Sequence, residues 1–324
     1  MATPEALSLS QPLTDFATAY QNGALIAPLV SPDITVTVLS GTFEKRLRRT
    51  GKSGQFSDVI SADGTANEVS YDRDTDTFAL VPRALKAYVT GLESNGSIVT
   101  ALSPEEEKVN VLMSEIMLAH EMRVAAVITA TGSYASGYHF AAGANSRPAA
   151  ATKWSDWTNG DPIGDVKYML RKLPSRANGT RRIAWCSDAV FDALCEHPAV
   201  LAKMGMDKGS ATKEHILSIF RGLDDIVVSD LEKDTANEGA TASFSRVWDA
   251  TKFGIVSVPA GQPSTSSMMF AGTFRHSDGL KVRRWREEGR GYGGSEGVQV
   301  EHLALAAGSK IVQNDAGIML TSVL

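Results

Sequence analysis

The sequence predicts an α+β protein in which one long helix, a mixed α/β unit and two strand hairpins occupy separate stretches of the chain. Residues 103–132 space their apolar side chains as a helix does, whereas residues 160–260 alternate between helix and strand patterns. Strand-like pairs precede and follow these stretches, at residues 34–78 and 280–304. A chain of 324 residues in this order is long enough for two ordinary domains or one elongated body.

The first 32 residues predict an arm that does not fold alone. We expect one short amphipathic helix around Phe16 and Tyr20, ending before Pro28 and Pro32.

A long polar hairpin follows the arm. From Asp33 the segment ITVTVLSGTF alternates like a strand, and the charged run EVSYDRDTDTF returns after turn signals near Asp63 and Asn67. The two strands carry too few apolar residues to pack a face of their own, so we expect the hairpin to lie against another surface.

Between these strands, KRLRRTGKSGQF contains the Gly-Lys-Ser that ends a phosphate-binding loop. A nucleotide site needs a glycine five residues before Gly51 and a helix after Ser53, but position 46 is Arg and turn-forming residues follow. The stretch therefore indicates an exposed basic loop, in which Lys52 binds no nucleotide. Because the chain as a whole is acidic, the cluster of Arg46, Arg48 and Arg49 favours an acidic contact surface.

The long helix has a clear start. Ser103 is the expected N-cap, Pro104 suits the first helical position, and Glu106 completes a capping box among acidic residues that favour the helix dipole. Val109 begins an apolar stripe of helical spacing that runs to a predicted end near Gly132. His120 lies on that stripe, so we interpret it as a core histidine rather than a catalyst.

The mixed unit begins with a helix over Ile163–Leu173 and a strand over Arg182–Cys186. A second helix is capped by Ser187 and closed by Pro198. The segments TKEHILSIFRGL, DIVVSD and KFGIVSV then predict a helix and two strands. The C-terminal part predicts two strands joined by a glycine-rich turn, followed by a short closing strand pair.

The glycine-rich turn matches two catalytic motifs by chance. Both the dinucleotide-binding pattern and the nucleophile-elbow pattern require a helix that leaves the loop. Here GVQVEHLAL alternates like a strand, which favours a hairpin tip. The residues concerned are Gly289, Gly291 and Gly294 for the first pattern and Gly293, Ser295 and Gly297 for the second.

Composition argues against several classes of protein. A net charge of −5 is not that of a dedicated nucleic-acid binder, and no stretch predicts a signal peptide or a membrane span. Cys186 and Cys195 are spaced for neither a CxxC motif nor a disulfide framework, and we expect reduced thiols. The scattered histidines predict no metal site, and nothing predicts a cofactor.

Four stretches resemble the major capsid proteins of tailed bacteriophages, which have the Hong Kong 97 fold. They are VNVLMSEIMLAHEMRVAAVI, KWSDWTNGDPIGDV, LCEHPAVLAKM and VRRWREEGRGYGGSEGVQV, and the order of elements also matches along the whole chain. The resemblance implies a structural protein, not an enzyme, that self-assembles into pentamers and hexamers of an icosahedral head enclosing double-stranded DNA. An encapsulin-type compartment that encloses a cargo enzyme shares this fold and is the alternative, and a nucleotide-binding or hydrolytic enzyme is a third hypothesis.

The resemblance also implies a division of the chain. Residues 1–39 would be the N-terminal arm and 40–80 an extended loop that lies over a neighbouring subunit. Residues 81–159 and 263–324 would form the peripheral domain with its spine helix at 103–132, and 160–262 the axial domain. Contacts between subunits are expected from Phe16, Arg46, Arg48, Arg49, Lys52, Glu105, Glu106, Glu107, Glu287 and Glu288.

The same resemblance implies partners and a location. We expect a separate scaffolding protein, because no long scaffolding segment precedes the arm, together with a portal and a decoration protein. Packaged DNA would be contacted without sequence specificity, and no membrane is involved. The protein would assemble in the cytoplasm of the bacterial host and end in the virion.

Overall fold

A computed structural model describes most of the chain. The described residues are 8–9, 12–13, 25–46, 64, 73–89, 104–142, 152–174, 179–205, 209–236, 239, 241–263, 268–287, 297–304 and 307–324.

The helices and strands follow the predicted order. The helices are α1 (Ala27–Val30), α2 (Pro104–Ile128), α3 (Pro162–Lys172), α4 (Asp188–Glu196), α5 (Pro198–Met204) and α6 (Lys213–Ile219). The first strands are β1 (Ser8–Leu9), β2 (Asp33–Val36), β3 (Ser40–Arg46), β4 (Arg73–Ala79), β5 (Arg83–Val89), β6 (His139–Ala141), β7 (Thr180–Ser187) and β8 (Asp225–Ser229). The later strands are β9 (Glu232–Asp234), β10 (Phe244–Arg246), β11 (Phe253–Pro259), β12 (Ala271–His276), β13 (Leu280–Glu287), β14 (Gly297–Ala304), β15 (Ala307–Ile311) and β16 (Gly317–Thr321).

Helix α2 confirms the predicted long helix, although it ends earlier than the sequence indicates. The last carbonyls are bonded by side chains from the following turn: the Ser133 hydroxyl donates to the Val127 carbonyl, and the Tyr134 hydroxyl donates to that of Ile128. A short 3-10 turn over Thr131–Ser133 takes the place of the predicted last residues. Ser103, the predicted N-cap, lies outside the described residues.

A five-stranded sheet in the order β6-β16-β11-β7-β8 forms the centre of the molecule. The residues of its three inner strands, β16, β11 and β7, are almost all buried, and successive side chains point alternately into two cores. In β7, Ala184 and Cys186 face the core that α3 to α6 cover, while Ile183 and Trp185 face α1 and the end of α2. Gly254 on β11 leaves room for the Trp185 indole, because a Cβ there would lie 2.4 Å from the ring.

The described residues form four further sheets. The order β1-β13-β14-β5 gives a sheet that packs on α2, and β15-β12-β2 gives a smaller one. The hairpin β3-β4 pairs Ser40 with Ala79 and Arg46 with Arg73, and β9 pairs with β10. The predicted C-terminal hairpin is confirmed as β13-β14, in which Leu280 pairs with Ala304.

Two predictions about single elements are wrong. The segment from Asp33 is not one strand: β2 runs parallel to β12, and a bend at residues 37–39 separates it from β3.

The helix that follows Ser187 is confirmed as α4, which ends just before Pro198 as predicted. Pro198 also opens α5, whose N-cap is His197, with an imidazole nitrogen that accepts from the Ala199 N–H. Proline suits a first helical position because it lacks the N–H that would have no partner there.

The predicted closing strand pair is also wrong. Strands β15 and β16 do not pair with each other; β15 pairs with β12, and β16 lies between β11 and β6. The residues between them, 312–316, carry the chain from one sheet to the other. Val312 packs in the core beside the hairpin, whereas Ala316 packs in that of the central sheet.

Candidate functional site

The base of the β3-β4 hairpin is anchored within the subunit. Phe43 and Phe78 pack on Phe274 of β12, with ring centroids 5.1 and 4.8 Å away, and Phe78 and Phe274 stack with nearly parallel planes. The expectation that the hairpin lies against another surface is therefore confirmed for its base. That surface belongs to the same chain, so the base does not depend on a neighbouring copy for burial.

An ionic cluster covers this aromatic contact. The Lys310 ammonium lies 2.5 Å from an Asp76 carboxylate oxygen and also donates to the Thr77 carbonyl. Lys45 lies 3.2 Å from Asp74 and 3.6 Å from Asp76. The hydrogen bond from Lys310 lowers the pKa of Asp76, which keeps this carboxylate ionised. Lys310 thus ties the hairpin to the edge strand β15.

A broad groove of about 860 Å³ runs beside this cluster. Lys45, Asp74 and Asp76 line one side, and Gln313 and Asn314 from the segment between β15 and β16 line the other. The groove is polar and open, unlike the enclosed apolar cavities that hold small molecules.

The predicted contact residues lie at three places. Arg46 is the last residue of β3, and Glu287 is the last residue of β13; the backbone of both is described, but not the side chains. Glu105, Glu106 and Glu107 occupy the first turn of α2, as predicted, with Glu107 the most exposed.

The remaining candidates, Phe16, Arg48, Arg49, Lys52 and Glu288, lie outside the described residues, as does most of the glycine-rich turn. Whether basic and acidic candidates meet across two copies therefore stays a prediction.

Several large apolar side chains are exposed, which is informative when they lie together. Val38, Leu39 and Val81 are each about half exposed around the hairpin base. Val111 is similarly exposed on α2, and Phe244 on β10 is 66% exposed. Their exposure could not be read from the sequence, because an apolar residue type alone does not show whether another element covers it.

Glu121 is a buried residue that the sequence analysis also missed. Its carboxylate is 1% exposed and accepts hydrogen bonds from the Ile26 and Ala27 N–H groups and from the Trp248 indole N–H. Burial raises the pKa of Glu121, and these hydrogen bonds oppose the rise. The signal was present, since Glu121 shares a helical face with Val124 and Ile128, where a carboxylate needs partners.

His120 confirms its predicted place in the core. It is 6% exposed, and burial, together with the Arg275, Arg123 and Arg83 guanidiniums, lowers the pKa of His120 to about 3. The side chain is therefore neutral at physiological pH.

The two cysteines lie in the core and form no disulfide. Cys186 and Cys195 are buried free thiols, and burial raises the pKa of both, that of Cys195 to about 11. Within the described ranges, no group of three or more His, Cys, Asp or Glu side chains is placed to hold a metal ion. None of the described helices has both the length and the apolar character that a bilayer crossing requires.

Comparison with known proteins identifies a family and a fold. The family model described as phage major capsid protein E matches residues 98–265. The crystal structure of a phage-related protein from Bordetella bronchiseptica RB50 is similar over 98% of this chain and 99% of its own, with 19% identity and a TM-score of 0.73. No curated protein sequence matches.

Two capsid structures show the same fold. The capsid protein of the cyanophage P-SCSP1u matches 99% of this chain and 92% of its own, with 12% identity and a TM-score of 0.52. That of the mature capsid of bacteriophage PhiM1 matches 99% and 91%, with 10% identity and a TM-score of 0.52.

Proposed function

This chain belongs to the phage major capsid protein E family and is a structural capsid protein with the Hong Kong 97 fold, and we propose that its copies form the pentamers and hexamers of an icosahedral head around double-stranded DNA. The observation that carries the proposal is the family match, together with a likeness of fold that extends over almost the entire chain. Membership of the family makes the protein a component of the virion and of an oligomeric shell.

We propose a structural role without catalysis. The fold accounts for all the described elements, and the two buried thiols are poor nucleophiles because their pKa values are raised. We interpret the Gly-Lys-Ser fragment at Lys52 as part of a basic loop, and the two glycine patterns as the turn of a hairpin, so none of them supports an enzyme.

We propose the domain division that the resemblance implies: an arm at 1–39, an extended loop at 40–80, a peripheral domain at 81–159 and 263–324, and an axial domain at 160–262. The central sheet crosses this division, because β7, β8 and β11 lie in the axial segment whereas β6 and β16 lie in the peripheral segments. The two domains would therefore be connected through this shared sheet.

For contacts between subunits, we propose that the basic loop of one copy meets an acidic surface on the next. The anchored hairpin base supports this arrangement, since it gives the loop a fixed point of departure from the subunit. The candidate acceptors are Glu105, Glu106 and Glu107, or Glu287 and Glu288. Each exposed pair would contribute only about 0.2 to 1 kcal/mol, but the contact recurs in every subunit.

We further propose a separate scaffolding protein, a portal, a decoration protein and non-specific contact with packaged DNA, with assembly in the host cytoplasm. These partners rest on the resemblance to tailed-phage capsids. The net charge of −5 supports DNA contact that is confined to local basic regions.

Electron microscopy of the purified protein tests the proposal. We expect pentamers, hexamers, tubes or closed shells, and DNA-filled heads when the protein is isolated from phage-producing cells. A protein that remains monomeric at high concentration, in several salt conditions and with its scaffolding partner present, would contradict assembly. Shells that enclose a cargo enzyme in place of nuclease-protected DNA would favour an encapsulin-type compartment.

A further inference from the structure

A small cavity of about 50 Å³ lies where helix α2 meets strands β5, β12 and β15, away from the hairpin groove. Its polar lining is entirely basic and comes from three elements. The residues are Arg83 on β5, His120 and Arg123 on α2, and Arg275 and His276 on β12. Only folding brings these side chains together, because Arg83, Arg123 and Arg275 lie far apart in the sequence.

The positive charge of this cavity is only partly balanced. The Arg275 Nε atom lies 3.0 Å from Asp33 Oδ1 in an ion pair whose orientation does not give a hydrogen bond. Among the residues that the structure describes, no carboxylate lies within ion-pair distance of Arg83 or Arg123. Of the three guanidiniums, only that of Arg275 is paired with a described carboxylate, that of Asp33.

The three guanidiniums and His120 line one cavity and therefore affect each other. Partial burial and the Arg83 guanidinium lower the pKa of Arg123, and all three guanidiniums lower that of His120. Like charges held together in this way repel each other, and a bound anion would relieve the repulsion. The Asp278 carboxylate lies 3.8 Å from His276 and 2.9 Å from Lys281.

The other wall of the cavity is apolar. Ile116 and Met117 on α2 and Leu280 at the start of β13 form it. A water needs on the order of 10–15 Å³ of such space, so the cavity holds a few waters or one small anionic group. An acidic side chain fits both walls, because its methylene stem can contact the apolar side while its carboxylate faces the guanidiniums.

We propose that this cavity receives the carboxylate of a Glu or Asp side chain from a neighbouring copy of this chain. The inference rests on the proposed shell, in which copies of an acidic protein surround each other. Arginine is suited to this role because its planar fork binds a carboxylate through two parallel hydrogen bonds. A nucleic-acid phosphate fits less well, since its flanking sugars must approach together and the cavity admits a single small group.

Carbodiimide crosslinking tests the proposal directly. The variants Arg123→Lys and Arg83→Lys keep the positive charge but supply an amine, which forms an amide with a carboxylate that touches it. The matched control is Arg171→Lys, because Arg171 is exposed in the last turn of α3, away from the cavity. Shells assembled from equal amounts of isotopically light and heavy protein show by mass spectrometry whether a crosslink joins two copies.

We expect a mixed light-heavy crosslink from position 123 or 83 to one acidic residue, at least five times the yield at position 171. We also expect the double variant Arg83→Gln/Arg123→Gln to fold, by circular dichroism, but to need roughly tenfold more protein for assembly.

Crosslinks only within one chain, or none above the control, would overturn the proposal. So would normal assembly of the double variant, including the case in which its shells retain less DNA, which would indicate a phosphate ligand. If the wild-type protein forms no shells at all, the proposed function itself fails, and this outcome is distinct from a missing crosslink in intact shells.

Discussion

Replacement of Glu121 by alanine is expected to destabilise the protein severely. The carboxylate is almost fully buried and accepts from three donors: the N–H groups of Ile26 and Ala27 at 2.9 to 3.1 Å, and the Trp248 indole at 2.7 Å. A buried donor left without a partner costs about 1 to 3 kcal/mol. The alanine variant leaves three donors without a partner, so its free energy of unfolding should fall by on the order of 3 to 9 kcal/mol. The free energy of unfolding of a whole domain is about 5 to 15 kcal/mol.

The Glu121→Gln variant keeps an oxygen that can accept hydrogen bonds but removes the negative charge. The Oε1 atom lies within 3.1 Å of all three donors, so an amide oxygen in its position can accept from each of them. The bond of 2.9 Å from the Ala27 N–H to Oε2 is the one that the glutamine variant loses. Because burial raises the pKa of Glu121, removal of the charge also relieves a cost. We therefore expect the glutamine variant to stay within about 1 kcal/mol of the wild type.

The stability of the wild type and that of Glu121→Gln should depend differently on pH. The folded state binds the Glu121 proton more tightly than the unfolded state, whose pKa is 4.5. The contribution of this group to stability is therefore fully present below pH 4.5 and falls as the pH rises through the raised folded-state pKa. Glu121→Gln lacks this dependence, so its stability relative to the wild type should improve over that window.

Urea unfolding followed by tryptophan fluorescence measures these differences, since Trp248 lies beside the carboxylate and 5.3 Å from Trp185. All variants should be compared in the same state of assembly. Glu115→Gln, at an exposed position on the same helix, is the control and should change stability by less than about 0.5 kcal/mol.

Two results would refute this reasoning: an alanine variant within 1 kcal/mol of the wild type, or a glutamine variant as unstable as alanine. If the alanine variant cannot be purified folded, Trp248→Phe removes a single donor and leaves the backbone pair in place. It should then unfold at a lower urea concentration than the wild type and still fold.

Three other outcomes are expected. The pKa of His120 falls from 6.5 to about 3 on folding, so its contribution to stability is present above pH 6.5 and is lost as the pH drops toward 3. The free energy of unfolding should change by up to about 1.4 kcal/mol per pH unit over this range. Urea titrations at pH 7, 6 and 5 should show this slope in the wild type but not in His120→Leu, and equal slopes would contradict the assignment. Phe78→Ala should cost about 3 kcal/mol in thermal unfolding and expose the hairpin to protease, since it removes the ring stacked on Phe274; an unchanged digestion pattern would argue against anchoring. Reversal of Arg46, Arg48 and Arg49 to Glu should leave the circular dichroism spectrum unchanged but prevent shells in micrographs, and normal shells would refute the proposed contact.

Local chemistry in the sequence determined the long helix and most of the strands. The acidic first turn that begins with Pro104 and the apolar stripe from Val109 act within a few residues, and the structure places α2 where they predict it. The same applies to β7 and to the hairpin β13-β14, whose patterns are short and strong. The resemblance of four stretches to phage capsid proteins also came from the sequence, and the family match supports it.

Only the tertiary structure decided which elements meet. Strands β15 and β16 lie next to each other in the chain but belong to different sheets, because β15 pairs with β12 and β16 with β11 and β6. The same reason explains the residues that the sequence analysis missed. Glu121 became a buried acceptor because Ile26 and Trp248, from distant segments, donate to it. The packing of whole elements decides such partners, and the residue pattern within one segment does not predict them.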